Sequence, residues 1–438
     1  METTSQNQTS VEQNTPPNDI VLWVGADWAD QKHCLVTCLP DGSQSQLHWV
    51  DQKPQHLDDF FLGLRQKYPN GRIAVVLEQS RGALLYALLK YSFLRLYPVN
   101  PRCLADFRDA MTASGAKSDP SDADLLCEMG CKHSKYLREL ELNDPATRQL
   151  VLLTEHRRGI VDEQTALSNQ LTSALKCYYP LALELFADDI VAPIALAFLR
   201  RWSNLAVLKK AKSSVLRTFF YAQNSRSEDK IKQRLEAITA AKPLIEDAAI
   251  IGPMELLVQT LVKRLAAVQQ SIAAYDTRIA EVFASHAKAK VFASFPEAGP
   301  VLAPRLAAAF GTKEANFPTP FAMECWSGVG PVQKQSGKSK VVLFRWARPK
   351  FLHQTFVEFA RTSVLFSEWA RAFFKERLDK GWGKFRIYRA LAFKWIRILW
   401  RCWKDNVEYS EAKYLAALQK HGIKTYAALY PELPAKSE

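Results

Sequence analysis

Between residues 20 and 100 the apolar positions come in short runs, VLWVGA, HCLVTCL and QLHWV, each closed by a polar turn. Runs of that length between such turns predict three strands in a meander. QHLDDFFLGLRQKY follows at helical spacing, then the strand-like RIAVVLE, the helical RGALLYALLKYSF and a last strand, LRLYPVN. Helical spacing continues through PRCLADFRDAM and KSDPSDADLL, residues 117 to 126. From about 148 to 288 the pattern is helical throughout. Its clearest element repeats Ile251, Met254, Val258, Leu261, Leu265, Val268, Ile272, Tyr275, Ile279 and Val282 at alternating steps of three and four, which is a heptad seam. A second seam passes through Ile160, Leu167, Leu171 and Ala174. The two helices pair either within one chain, as an antiparallel arm, or between chains. From 289 to 410 a turn-bearing stretch, FASFPEAGPVLAPRLAAAFGT, leads to FAMECWSGVGPVQKQSGKSK, a loop rich in Gly, Pro, Gln and Ser, and then to further helices.

Three strands, helix, strand, helix, strand is the order of an RNase H-like mixed sheet with flanking helices. The expected fold is therefore α/β plus all-α. A polar tail, 1–19, precedes a catalytic-type α/β domain, 20–147, then a helical coiled-coil region, 148–288, a mostly helical C-terminal domain, 289–410, and an extension, 411–438. With 438 residues, 48% of them hydrophobic, the chain is long enough for two or three cored domains. The tail has neither a basic start nor an apolar run, and no apolar run reaches the length of a membrane span. Eight cysteines scattered through apolar surroundings favour free thiols in a reducing compartment, so a cytoplasmic protein is expected.

Charge narrows the class of partner. Lys334 to Lys404 hold 18 Lys or Arg against Glu358, Glu368, Glu376 and Asp379, a net +14, while the other 40 basic and 41 acidic residues sum to −1. Phe344, Trp346, Trp382, Phe385, Trp395, Trp400 and Trp403 are interleaved with this charge. Basic groups with aromatic faces suit phosphate neutralisation and base stacking. The helical spacing of the aromatics places many of them in a core instead.

Against that background the acids of KSDPSDADLL stand out. Asp27 ends the first strand, Glu78 ends the fourth, and Asp119 and Asp122 sit three apart, on one face of a helix starting there. In the expected sheet the ends of strands one and four are neighbours. Four converging carboxylates repel one another unless cations compensate. Magnesium fits, because it takes hard oxygen ligands and leaves positions for water and phosphate oxygens. Two such ions serve phosphodiester displacement. Asp124 falls out of register. Taken singly, each acid has a plainer reading: Ser118 or Asp119 as a helix cap, Asp122 favoured by the dipole, Asp27 as a turn residue.

VGADWADQKH, VLEQSRGALLYALLK, YPVNP and KSDPSDADLL resemble the DEDD domain of the transposases of insertion-sequence families 110 and 1111. In that family a RuvC-like RNase H fold is followed by a coiled coil and a second domain with a nucleophilic serine before a glycine. The resemblance covers about 20–180 and 290–355. It implies a metal tetrad of Asp27, Glu78, Asp119 and Asp122 holding Mg2+, two ions per site. It makes Ser336, in QSGK, the nucleophile, with Ser339 as the backup candidate. It further implies strand exchange of donor and target double-stranded DNA through a covalent phosphoserine, and a structured noncoding guide RNA as partner; because recombination must handle two duplexes and the heptads offer an interface, a dimer or tetramer is expected. Lys338 and Lys340 would hold backbone phosphate, with Arg345, Arg348 and Lys350 as further nucleic-acid contacts. Two other readings stay open: a Holliday-junction-resolvase-like nuclease in which water attacks, and a non-catalytic RNA-binding assembly protein.

This sequence departs from the family pattern in places. Ala26 stands where isoleucine usually precedes the first aspartate, PEAGP replaces P-G-I-G, and RWARPKFLHQ lacks the usual glycine and asparagine. Gly299 of PEAGP could let backbone approach a phosphate. Cys127, Cys131 and His133 lack the fourth ligand a zinc site needs. Lys32 and His33 are minor phosphate candidates, and His156, Arg157 and Arg158 are expected on a solvated helix face.

Overall fold

The computed structural model describes residues 19–78, 81–111, 117–296, 298–337, 339–346 and 348–420. They fall into two units divided in sequence between Leu142 and Asn143.

The first unit follows the element order read from the sequence. Strands β1 (Ile20–Asp27), β2 (Lys32–Cys38) and β3 (Gln46–Asp51) form an antiparallel meander. Helix α1 (Pro54–Lys67) leads to β4 (Arg72–Leu77), and α2 (Ala83–Leu88) to β5 (Leu94–Pro98). Strands β1, β4 and β5 are parallel, giving a mixed sheet of order β3-β2-β1-β4-β5. Alternation of side chains assigns the faces. Leu22, Val24, Ala26, Ile73, Val75 and Leu77 pack with Leu57, Phe61 and Leu84 of α1 and α2. Trp23, Ala74 and Val76 pack on the opposite face with Leu104 of α3 (Pro101–Met111) and Ala123, Leu126 and Cys127 of α4 (Asp119–His133). Gly25 lies on that face, where a Cβ would stand 2.0 Å from Ala123 O and 2.4 Å from Cys127 N. Its bare backbone lets α4 rest directly on β1.

The second unit is mostly helical. Helix α5 (Pro145–Tyr178) is followed by five shorter helices, α6 (Leu181–Leu185) to α10 (Glu228–Ala240), and by α11 (Ala248–Ala284). Leu167 and Leu171 of α5 share a core with Val258, Leu261 and Leu265 of α11, while Leu150 shares another with Ile279 and Val282. The two long helices are thus antiparallel neighbours within one chain. The short helices bury Phe198, Trp202 and Phe220 against one end of the pair. Around the other end lie α12 (Ala289–Ala293), α13 (Gly299–Phe310), α14 (Pro320–Trp326), α15 (Lys350–Phe366), α16 (Glu368–Asp379), α17 (Lys384–Asp405) and α18 (Glu411–Lys420). Trp395 and Trp403 of α17 are fully buried there, as their spacing predicts. Trp346 and Phe385 are 82% and 86% exposed, so the aromatic set divides between core and surface. Tyr414 and Leu418 of α18 pack on the same core, so the extension past 410 is partly domain.

Between α14 and α15 stands a separate two-stranded sheet, β6 (Val332–Ser336) and β7 (Ser339–Leu343). Of its ten residues nine are exposed and Val332 is half-buried. Among the described residues no helix is long and apolar enough to cross a membrane. The tail, 1–18, and the end beyond 420 lie outside the described residues.

Candidate active site

The same alternation that sorts the core positions the acids. Asp27 follows Trp23 and Gly25 on the α4 face of β1, and Glu78 follows Ala74 and Val76 on that face of β4. Ala26 pairs with Leu77, which makes Asp27 and Glu78 neighbours at the carboxyl ends of parallel strands. Helix α4 supplies the other two. Ser118 caps it, its Oγ accepting from Ser121 N–H at 3.3 Å, with the reciprocal bond of a capping box. The capping role read for Ser118 or Asp119 thus falls to Ser118 and leaves Asp119 unspent. Asp119 is exposed and Asp122, one turn on, is fully buried. Asp124 is exposed.

Electrostatics reports the convergence. Burial, followed by Asp119, Asp122 and Glu78, raises the Asp27 carboxyl from 3.8 to about 6, with Lys117 opposing. Asp122 has a partner that spacing did not reveal: Arg108 of α3 donates from Nε at 2.8 Å to Oδ1, with Nη2 at 2.6 Å. Asp122 Oδ2 is buried without a hydrogen-bond donor, and Lys117 Nζ lies 3.9 Å from it. An all-oxygen cluster with one orphaned carboxylate oxygen suits a hard divalent cation. Among the described residues, no three acidic, histidine or cysteine side chains are gathered closely enough to enclose an ion. In this arrangement Arg108 supplies the positive charge at Asp122.

Other sequence candidates resolve individually. His33 is buried in β2, its Nδ1 accepting from Ala29 N–H at 3.3 Å and its Nε2 bonded to Gln52, so it is occupied structurally. Cys127 Sγ lies 2.8 Å from Cys38 Sγ, Cys131 bonds to Glu128 O, and the His133 ring meets Phe107. The solvated face expected for Arg157 and Arg158 is corrected. Arg157 forks onto Asp276 of α11, and Arg158 bonds to Glu358 of α15, both half-buried. The reason is that α5 is enclosed by neighbours on that side too.

In the second unit Ser336 and Ser339 face each other across the two-residue loop of the β6–β7 hairpin, where Gly337 takes φ +54°. Both serines are exposed, as are Lys340 and Lys350. Lys338 lies outside the described residues. Arg345 turns inward to Gly330 O at 3.4 Å and Cys325 Sγ at 3.5 Å. Arg348 stacks 4.2 Å from the Phe344 ring and donates to Arg345 O at 2.8 Å. The two arginines brace the foot of the hairpin.

Comparison with known proteins adds the following. Residues 24–180 match a family model for transposases of the DEDD type from IS110 elements, and residues 289–375 match the model of the transposase IS116/IS110/IS902 family. The chain is 25% identical to the Streptomyces coelicolor protein assigned as the mini-circle transposase for IS117, over 92% of this chain and 98% of that one. It is 24% identical to a 42 kDa protein of insertion element IS900 from Mycobacterium paratuberculosis, over 90% and 99%. A 44.8 kDa protein of IS116 from Streptomyces clavuligerus is also 24% identical, over 89% and 96%.

Proposed function

Since the chain belongs to the IS116/IS110/IS902 family of transposases, we propose that it cuts and rejoins donor and target DNA with a four-carboxylate metal site and a serine nucleophile. The observation that carries the metal site is geometric: paired parallel strands end in Asp27 and Glu78, and the buried Asp122 of α4 keeps an unpartnered carboxylate oxygen, with the raised Asp27 carboxyl in agreement. Asp27, Glu78, Asp119 and Asp122 would hold Mg2+, and Asp122 Oδ2 is a ready ligand because it accepts no hydrogen bond. When bound, magnesium would supply charge neutralisation for the attacking and leaving oxygens of a phosphodiester. The strand order with β2 alone antiparallel to β1 supports an RNase H-like, RuvC-like sheet, and the α5–α11 pairing supports a coiled-coil arm.

Ser336 is the proposed nucleophile. Its Oγ attacks a backbone phosphorus, the phosphorus–oxygen bond to the leaving strand breaks, and the serine proton passes to a base. The resulting phosphodiester to serine keeps the strand attached until a second strand's hydroxyl displaces it. Position supports this role: Ser336 is exposed at a tight turn with Lys340 exposed nearby on β7. A structured guide RNA that pairs with both DNAs, and a dimeric or tetrameric assembly, complete the proposal. The net +14 from Lys334 to Lys404 supports a nucleic-acid partner there.

An interrupted DNA substrate tests the chemistry. Wild-type protein should accumulate a covalent protein–DNA adduct on a denaturing gel, and Ser336→Ala should lower its formation at least about 1,000-fold, or about 4 kcal/mol in barrier. Adduct retained in Ser336→Ala but lost in Ser339→Ala would move the role to Ser339. Cleavage without any adduct would favour the resolvase-like reading.

A further inference from the structure

A cavity of about 300 Å3 opens in the second unit among α5, α11, α13 and α15. Arg157, Arg158, Arg305 and Arg361 line it, against the carboxylates of Asp276 and Glu358. Most of this charge is matched. Arg157 Nη2 donates to Asp276 Oδ2 at 3.1 Å, and Glu358 accepts from Arg158 at 3.0 Å and Arg305 Nη1 at 2.6 Å. Arg158 also reaches the exposed Asp162 at 2.8 Å. Three carboxylates therefore serve three guanidinium groups, and Arg361 of α15 is the fourth.

An unmet donor also remains on α13. Arg305 is only 5% exposed, and its Nε donates to Thr355 Oγ1 at 3.1 Å. Its Nη2 is buried with no acceptor. A buried charged donor without an acceptor is a costly arrangement that calls for a partner. The first turn of α13 is the cavity's other wall, through Pro300, Val301 and Leu302. Ala298 at the N-cap gives this 12-residue helix no side-chain cap, and Gly299 enters it at φ +50°. Pro300 has no N–H and the Leu302 N–H bonds to Ala298 O, so the favour this end shows an anion comes from the positive end of the dipole and the Val301 N–H.

We propose that this cavity takes one backbone phosphate of a nucleic acid, with Arg305 Nη2 and the rim residue Arg361 as donors. The phosphate would supply the acceptor that Arg305 lacks and the charge that balances the fourth guanidinium. The choice of a backbone phosphate over a free one rests on the reading of the chain as a DNA-processing enzyme; the cavity's preference for an anion does not.

Arg361→Ala tests it, because Arg361 is exposed and its loss leaves the core intact. Affinity of the full chain for duplex DNA and for single-stranded RNA is measured as a function of salt. Loss of one phosphate contact should weaken binding to the strand that is held about tenfold and reduce the slope of log K against log salt by about one. Arg305→Lys, which keeps the charge but loses the fork, should weaken binding while leaving the slope near the wild-type value. A second arm uses inorganic phosphate as the probe, at constant ionic strength, and should raise the melting temperature of wild type more than that of Arg361→Ala. If phosphate stabilises wild type selectively but both variants bind DNA and RNA as wild type does, the cavity is a free-anion site and the proposal is overturned. If phosphate has no effect and the slopes are unchanged, it is not an anion site at all. Failure of the reading on which the choice of a nucleic acid rests would instead show in wild type, as a chain that binds neither nucleic acid and forms no covalent adduct on the interrupted DNA substrate.

Discussion

Replacing Asp27 with Asn tests whether the acidic cluster works against the fold that carries it. The carboxyl stands at about 6 instead of 3.8, through burial first and then Asp119, Asp122 and Glu78. At about 1.4 kcal/mol per unit, roughly two units disfavour the ionised form in the folded chain by about 3 kcal/mol. Between those pH values the folded chain holds a proton that the unfolded chain has released. Stability therefore falls as pH rises through that window and stays low above it. Asn preserves the shape and removes the charge. In metal-free buffer at pH 7.5 the Asp27→Asn chain should be more stable by about 1 to 3 kcal/mol, the lower figure allowing for burial of the amide. Urea unfolding followed by circular dichroism, at several pH values from 4 to 8 with a chelator present, measures both the stability and its slope. Wild type should weaken from pH 4 to 6.5 more steeply than the variant, and added magnesium should stabilise wild type the more. A variant no more stable than wild type at pH 7.5, with the same pH slope, would refute the reasoning.

Further outcomes follow from the same region. Arg108→Ala leaves Asp122 buried without its guanidinium, so metal-free stability should drop by about 3 kcal/mol, and magnesium should recover much of it in a calorimetric scan. Gly25→Ala places a methyl 2.0 Å from Ala123 O. It should cost about 2 to 3 kcal/mol and weaken magnesium binding in isothermal titration, because α4 must move off β1; unchanged binding would separate helix packing from the acids. Full-chain Ser336→Ala should keep the wild-type magnesium response in both measurements.

The first unit was largely legible because strand alternation and turn residues act locally. VLWVGAD and RIAVVLE could be read as strands whose last residues are acidic, and the parallel pairing of Ala26 with Leu77 then brings those residues together. The i, i+3 spacing of Asp119 and Asp122 was also visible, but not that one is exposed and the other fully buried. That difference depends on how closely α4 approaches Gly25. Arg108 carried no signal, since its bond to Asp122 is a tertiary contact between α3 and α4 with no spacing rule behind it. The bond from Arg157 to Asp276 spans 119 residues and depends on α5 and α11 pairing within one chain, a choice that heptads alone leave open. A helix face that looks polar in sequence is solvated only if no third element covers it.

The β6–β7 hairpin has a consequence for timing. Two strands alone are marginal in water, and these expose Val341, Val342 and Leu343 by 47%, 59% and 41%. Ser336 is held at its tip by the hairpin ladder and by Arg345 and Arg348 at its foot. If Ser336 is the nucleophile, a hydroxyl on so thinly supported a ribbon gains a fixed aim only when something packs against the ribbon's exposed apolar side chains. Under the proposed mechanism, the chain would circulate with its nucleophile unaimed, and the moment of strand breakage would be set by assembly on the DNA rather than by the first encounter with it.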